Sequence, residues 1–145
     1  MKIRKGFLAA LVFLVFTGSV GMFGCTDVDG SIDAAFMAGT YNLLEISLTP
    51  TGGPTLNLAP PDIEGTITLT VSGTFSYSYI ILGDNVSGYG TFTVDDPEIV
   101  FFEEGDVKGV VTSVTHGIIS NGGDTIIVAE TGPDSSFSWE VTRQR

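Results

Sequence analysis

From about residue 39 onward, apolar and polar positions alternate with a period of two rather than 3.6, the pattern of strands whose two faces meet different surroundings. Thr66-Ile67-Thr68-Leu69-Thr70-Val71 is the cleanest case, with Ile67, Leu69 and Val71 on one face and three threonines on the other. Phe75, Tyr77 and Tyr79 alternate with Ser76 and Ser78 in the next run, and Ser72-Gly73 between them has turn chemistry. The two runs predict a β-hairpin with Ile67, Leu69, Val71, Phe75, Tyr77 and Tyr79 facing inward together.

Similar runs cover 41–48, 86–94, 98–102, 107–115, 125–130 and 136–142, which brings the predicted total to eight strands. Turn clusters separate them: Gly83-Asp84-Asn85, Asp95-Asp96-Pro97, Glu104-Gly105-Asp106, Asn121-Gly122-Gly123 and Gly132-Pro133-Asp134. No amphipathic helical pattern lasts three turns in this stretch. Short connectors pair sequence neighbours antiparallel, so the expected fold is all-β, an eight-stranded antiparallel meander barrel that leaves no open edge. The alternative is an immunoglobulin-like sandwich, whose Greek-key crossings need long connections. The single long connection is the Pro- and Gly-rich segment 49–61, read as a loop.

Residues 2–25 follow a different rule. Lys2, Arg4 and Lys5 precede an apolar run from Phe7 to Phe16, then small and turn-forming residues up to Cys25. That is the layout of a secretory signal, and the run is too short for the roughly twenty residues of a membrane-spanning helix. Cys25, the sole cysteine, follows Gly24 at the end of this signal, and the arrangement resembles the lipobox of bacterial lipoproteins. The resemblance implies cleavage before Cys25, acylation of its thiol, and a protein held in the cell envelope. Thr26 after the cysteine points, by that family's sorting tendency, to the outer membrane. The expected organisation is a signal peptide over 1–24, an acidic flexible tether over 25–38 and a barrel domain over 39–145.

Gly39-Thr40-Tyr41 opening the first strand and Trp139-Glu140-Val141-Thr142-Arg143 in the last are similar to the closing elements of lipocalin-like proteins. In that family an arginine of the last strand lies over an aromatic residue of the first. The resemblance therefore implies that Arg143 covers Tyr41 at a closed barrel end. It also implies a small apolar or amphipathic ligand in the interior, with Tyr77, Tyr79, Phe92 and Trp139 as the expected contacts. Eight-stranded barrels are either filled by side chains or hold one small ligand. The aromatic set argues for filling, whereas Gly88 and Gly90, on the face of Phe92, argue for space.

Charge and residue inventory then exclude several classes. All 17 acidic residues follow residue 24 while three of six basic ones precede it, so the mature part carries 3 − 17 = −14. A nucleic-acid partner is excluded by the lack of clustered Lys and Arg. His116 is the only histidine and no Gly-x-Ser-x-Gly element occurs, which leaves no hydrolase triad; His116 reads as a solvated turn residue. Residues 27–33 are similar to the middle of an EF-hand loop, but its first and twelfth ligand positions fall on Cys25 and Phe36, so the segment reads as an acidic spacer and no metal is expected. Two acidic knots, Asp95/Asp96/Glu98 and Glu103/Glu104/Asp106, read as solvated turns. The resulting expectation is a non-catalytic, membrane-tethered lipoprotein without cofactor that binds a small ligand. The alternative is an envelope structural or protein-interaction module with a filled core.

Overall fold

The computed structural model describes residues 32–145; the expected signal peptide, Cys25 and the beginning of the expected tether lie outside the described residues. In chain order the elements are α1 (Ala34–Met37), β1 (Gly39–Pro50), β2 (Leu56–Leu58), β3 (Ile63–Leu69), β4 (Thr74–Ile81), β5 (Asp84–Asp95), β6 (Glu98–Glu104), β7 (Val111–Ser120), a 3₁₀ turn (Asn121–Gly123), β8 (Thr125–Thr131) and β9 (Ser135–Arg143).

From β3 to β9 each strand pairs antiparallel with the next, and β1 pairs with β9 from Tyr41↔Arg143 to Pro50↔Ser135. That last ladder closes the sheet on itself, so the architecture is a closed antiparallel barrel and not a sandwich. β2 and β3 share one stave. Both lie along the β1 edge opposite β9, β2 against Ile46–Leu48 and β3 against residues 39–42. The segment 49–61 is therefore not wholly a loop: it contains β2, with Leu58 buried against the core. The resulting stave count is eight.

At two ends the strand is shorter than the sequence pattern, each because a local hydrogen-bonded turn outcompetes alternation. β3 stops at Leu69 because Thr70 turns the chain, its backbone N–H donating to Thr74 O at 2.9 Å while its hydroxyl lies 2.7 Å from the Thr74 hydroxyl. Val71, expected to face inward, sits in this turn and is 72% exposed. β7 starts at Val111 rather than 107, since Val110 N–H donates to Val107 O and Gly109 N–H to Glu104 Oε2 at 2.8 Å. Val107 and Val110 are consequently exposed.

Within β1 a bulge re-phases the alternation. Its register shifts between Leu43 and Glu45, leaving Leu44 and Glu45 both exposed, so that Tyr41 and Leu43 before it and Ile46 after it all face inward. Without that extra residue Ile46 would turn to solvent.

One end of the barrel is capped and filled. Asp33 accepts from Phe36 N–H at 2.7 Å and so starts α1, a single turn whose Met37 is fully buried. Residues 33–38, expected within the tether, are thus part of the folded domain, because the Asp33 cap and the burial of Met37 order them. Below this cap, Tyr41, Leu69, Phe92, Ile99, Ile126 and Val141 pack with at most 3% exposure. Burial of such side chains contributes about 1.5–3 kcal/mol each, which makes this half the anchor of the fold. The opposite end carries the longer connections, 51–62 and 105–110, and is uncapped.

Candidate functional site

The strongest local constraint at the capped end is Arg143. Its guanidinium carbon lies 5.0 Å from the Tyr41 ring centroid, and its nitrogens donate to Ala38 O (3.0 Å), Phe36 O (2.9 Å) and the Tyr41 hydroxyl (2.7 Å). The Tyr41 hydroxyl in turn lies 3.0 Å from the carbonyl oxygens of Met37 and Gly123. Burial raises the pKa of that hydroxyl, with the Arg143 charge opposing the rise. Arg143 and Tyr41 therefore join α1, the first strand, the last strand and the 3₁₀ turn, a structural lock rather than a binding surface.

The open half holds a cavity of about 120 Å³. Tyr77, Tyr79 and Trp139, three of the expected contacts, line it, together with Phe75, Phe101 and Phe137. Phe92, the fourth, does not: at 3% exposure it lies in the filled half, 6.3 Å from the Phe101 ring centroid, and supports the cavity floor from behind. The aromatic rings form a connected wall. Tyr79 stacks on Tyr77 at 5.0 Å, Phe75 meets Phe101 edge-on at 5.2 Å, and Phe101 lies 6.1 Å from Trp139. Such pairs contribute about 0.5–1.5 kcal/mol beyond their burial and hold the wall rigid.

Gly88 and Gly90 do not leave empty space; neighbours occupy it. A Cβ on Gly88 would stand 2.6 Å from the Tyr77 ring and would collide with Glu103 Oε1. A Cβ on Gly90 would collide with the Phe102 carbonyl and approach Glu103 Cα to 3.0 Å. Both glycines thus allow β5 to press against β4 and β6, and Gly88 receives the pair that defines the polar side of the cavity.

In that pair the Tyr77 hydroxyl donates to Glu103 Oε1 at 2.8 Å. Burial holds the Glu103 carboxyl above the usual carboxylate range, although the Tyr77 bond works against the rise. Burial also pushes up the Tyr77 hydroxyl, and the facing Glu103 charge adds to it. A second carboxyl, Glu130 on β8, borders the cavity and is raised by burial too, with His116 and Thr115 opposing. The Tyr79 hydroxyl is the least expected group here. It is buried and, among the described residues, has no hydrogen-bond partner, and burial alone pushes its pKa up.

Glu103 was expected in a solvated turn, and the structure instead places it on the inner face of β6. Its parity with Ile99 and Phe101 carries the signal: positions 99, 101 and 103 share one face. The same parity links Glu130 to Ile126 and Val128. Asp95, Asp96 and Glu98 are exposed around the β5–β6 turn. His116 is exposed on the outer face within β7 rather than in a turn, paired opposite Val100. Asp33, from the EF-hand-like stretch, is occupied as the α1 cap. Among the described residues no group of three or more His, Cys, Asp or Glu is placed to hold a metal ion.

These features define a class by architecture: a closed up-and-down β-barrel, filled and latched at one end, with an aromatic-lined cavity in its open half. No protein-family model matches the chain, and no curated protein matches it. Among solved structures it is similar to a lipocalin-like protein from Bacteroides uniformis, with 12% identity, 75% of this chain and 98% of that chain covered, and a TM-score of 0.45. It is also similar to a de novo designed fluorescence-activating β-barrel, with 19% identity, 79% and 100% coverage, and a TM-score of 0.44.

Proposed function

We propose that the protein is a non-catalytic binding barrel that takes a small ligand with an apolar body into its open half, and that Cys25 tethers it to a membrane. The cavity carries this reading. Its 120 Å³ is close to the volume of about 150 Å³ that accepts benzene in an apolar protein interior, and its open side leaves room for a polar end group. Apolar walls with a few convergent polar groups are the usual composition of such sites.

The tether rests on the sequence before residue 32. The chain enters the barrel at the capped end through α1, the end opposite the cavity mouth. Radiolabelled fatty acid is expected to enter the wild type and not Cys25→Ser; equal labelling of both refutes the anchor.

The binding reading is tested by titrating the full chain with 2-phenylethanol, an uncharged probe of suitable size, by calorimetry and by the emission of Trp139, the sole tryptophan. Saturable binding with a Kd at or below the millimolar range is expected, and Trp139 emission should follow the same curve. No heat and no change in emission at about 10 mM would return the barrel to the interaction-module reading.

A further inference from the structure

The polar groups of the cavity have a common sign. Glu103 and Glu130 border it on separate strands, and the described residues contribute no Lys, Arg or His to its lining. Among the described residues the lysine and arginines lie elsewhere: Arg143 is engaged at the capped end, Arg145 pairs with Asp124 at 2.5 Å, and Lys108 belongs to the connection 105–110. That connection also carries Asp106, and the other connections of the open end carry Asp62 and Asp134. A ligand bearing a carboxylate or phosphate would therefore approach through negative potential and meet two carboxyls with no Lys, Arg or His in the cavity lining to offset them, His116 acting on Glu130 from the outer face, a costly arrangement in a low-dielectric interior.

A ligand of opposite sign finds its partners already in position. The Tyr77 hydroxyl spends its proton on Glu103 Oε1, which leaves the second carboxylate oxygen open. Tyr79 lines the same space through its ring, its hydroxyl being buried out of contact with it.

We propose that the ligand is a small organic cation, a protonated amine on an apolar body, with the ammonium at Glu103 and the body against Phe75, Phe101 and Trp139. This rests on the binding reading above and specifies its ligand class.

Three probes that differ in the charge of the end group separate the two ideas: 2-phenylethylamine (cationic), 2-phenylethanol (neutral) and 3-phenylpropionate (anionic), each titrated into the full chain at pH 7. The amine is expected to bind at least about tenfold tighter than the alcohol, and the acid more weakly than either. Glu103→Gln is expected to abolish the preference for the amine while the alcohol still binds, and unchanged circular dichroism of the variant verifies that it is folded. Equal affinity of amine and alcohol in the wild type overturns the cation assignment and leaves the binding reading standing. A preference that survives Glu103→Gln but vanishes in Glu130→Gln overturns the placement at Glu103. If none of the three binds, the binding reading itself fails and this assignment with it.

Discussion

Replacing Arg143 with Met keeps most of the aliphatic volume and removes the guanidinium that holds the capped end together. The arginine side chain is 23% exposed, and its head group makes three hydrogen bonds of 3.0 Å or less, to Ala38 O, Phe36 O and the Tyr41 hydroxyl. Hydrogen bonds to a charged group contribute about 1.5–3 kcal/mol each, and the contact over the Tyr41 ring about 0.5–2 kcal/mol. These terms share one partly solvated cation and do not add, so a loss of about 3–4 kcal/mol is expected. For a domain of this size that corresponds to a fall in melting temperature of about 10–15 °C. Thermal unfolding followed by circular dichroism reads the global loss, and hydrogen exchange at the amides of Met37 and Ala38 reads whether α1 undocks first. Arg145→Ala is the control, since that side chain is 85% exposed and its pairing with Asp124 is screened by solvent; its melting temperature should be nearly unchanged. A fall of only about 2 °C for Arg143→Met, or one equal to that of Arg145→Ala, would refute the latch.

Leu69→Ala, in the filled half at 2% exposure, should cost about 3–5 kcal/mol, whereas Thr68→Ala on the outer face should cost far less; similar losses in urea unfolding would show that the inner face is misassigned. Glu103 binds its proton more tightly in the folded than in the unfolded chain, so its protonation contributes stability that is full below the ordinary value of 4.5 and lost as pH rises through the raised one. Glu103→Gln should therefore match the wild type near pH 4 and become the more stable of the two near pH 8, in melting curves without ligand; a constant difference across that range refutes the burial of the carboxyl.

Most of the staves were legible because a half-buried strand leaves a period of two in the sequence, as in 66–69 and 75–79. The register of Val71 was not, because a threonine hydroxyl that turns the chain at Thr70 looks the same in sequence as one facing solvent on a strand. The bulge at Leu44 was equally silent, since it changes the phase and not the composition. On the site, the aromatic wall could be read from alternation, but Glu103 was hidden by its neighbours: Glu104, Gly105 and Asp106 give the whole cluster the appearance of a turn. Parity with Phe101 would have placed it inside. The depth of Phe92 depends on which half of the barrel is filled, and that follows from α1, which a four-residue segment without a helical period could not announce.

The ladder between β1 and β9 also governs how the barrel can form. These strands lie about ninety residues apart in sequence, and until the second is available β1 presents an unpaired edge along residues 41–50. Hairpins β3–β4 through β8–β9 can assemble locally, but the final closure joins the most distant pair and bears the largest loop-closure entropy. A chain cut before Ser135 would hold two open edges facing each other across a gap one strand wide. Such a fragment can satisfy them by accepting β9 from another copy or by stacking edge to edge, so nascent or clipped molecules are the ones at risk of swapping and aggregation, while the closed barrel is protected.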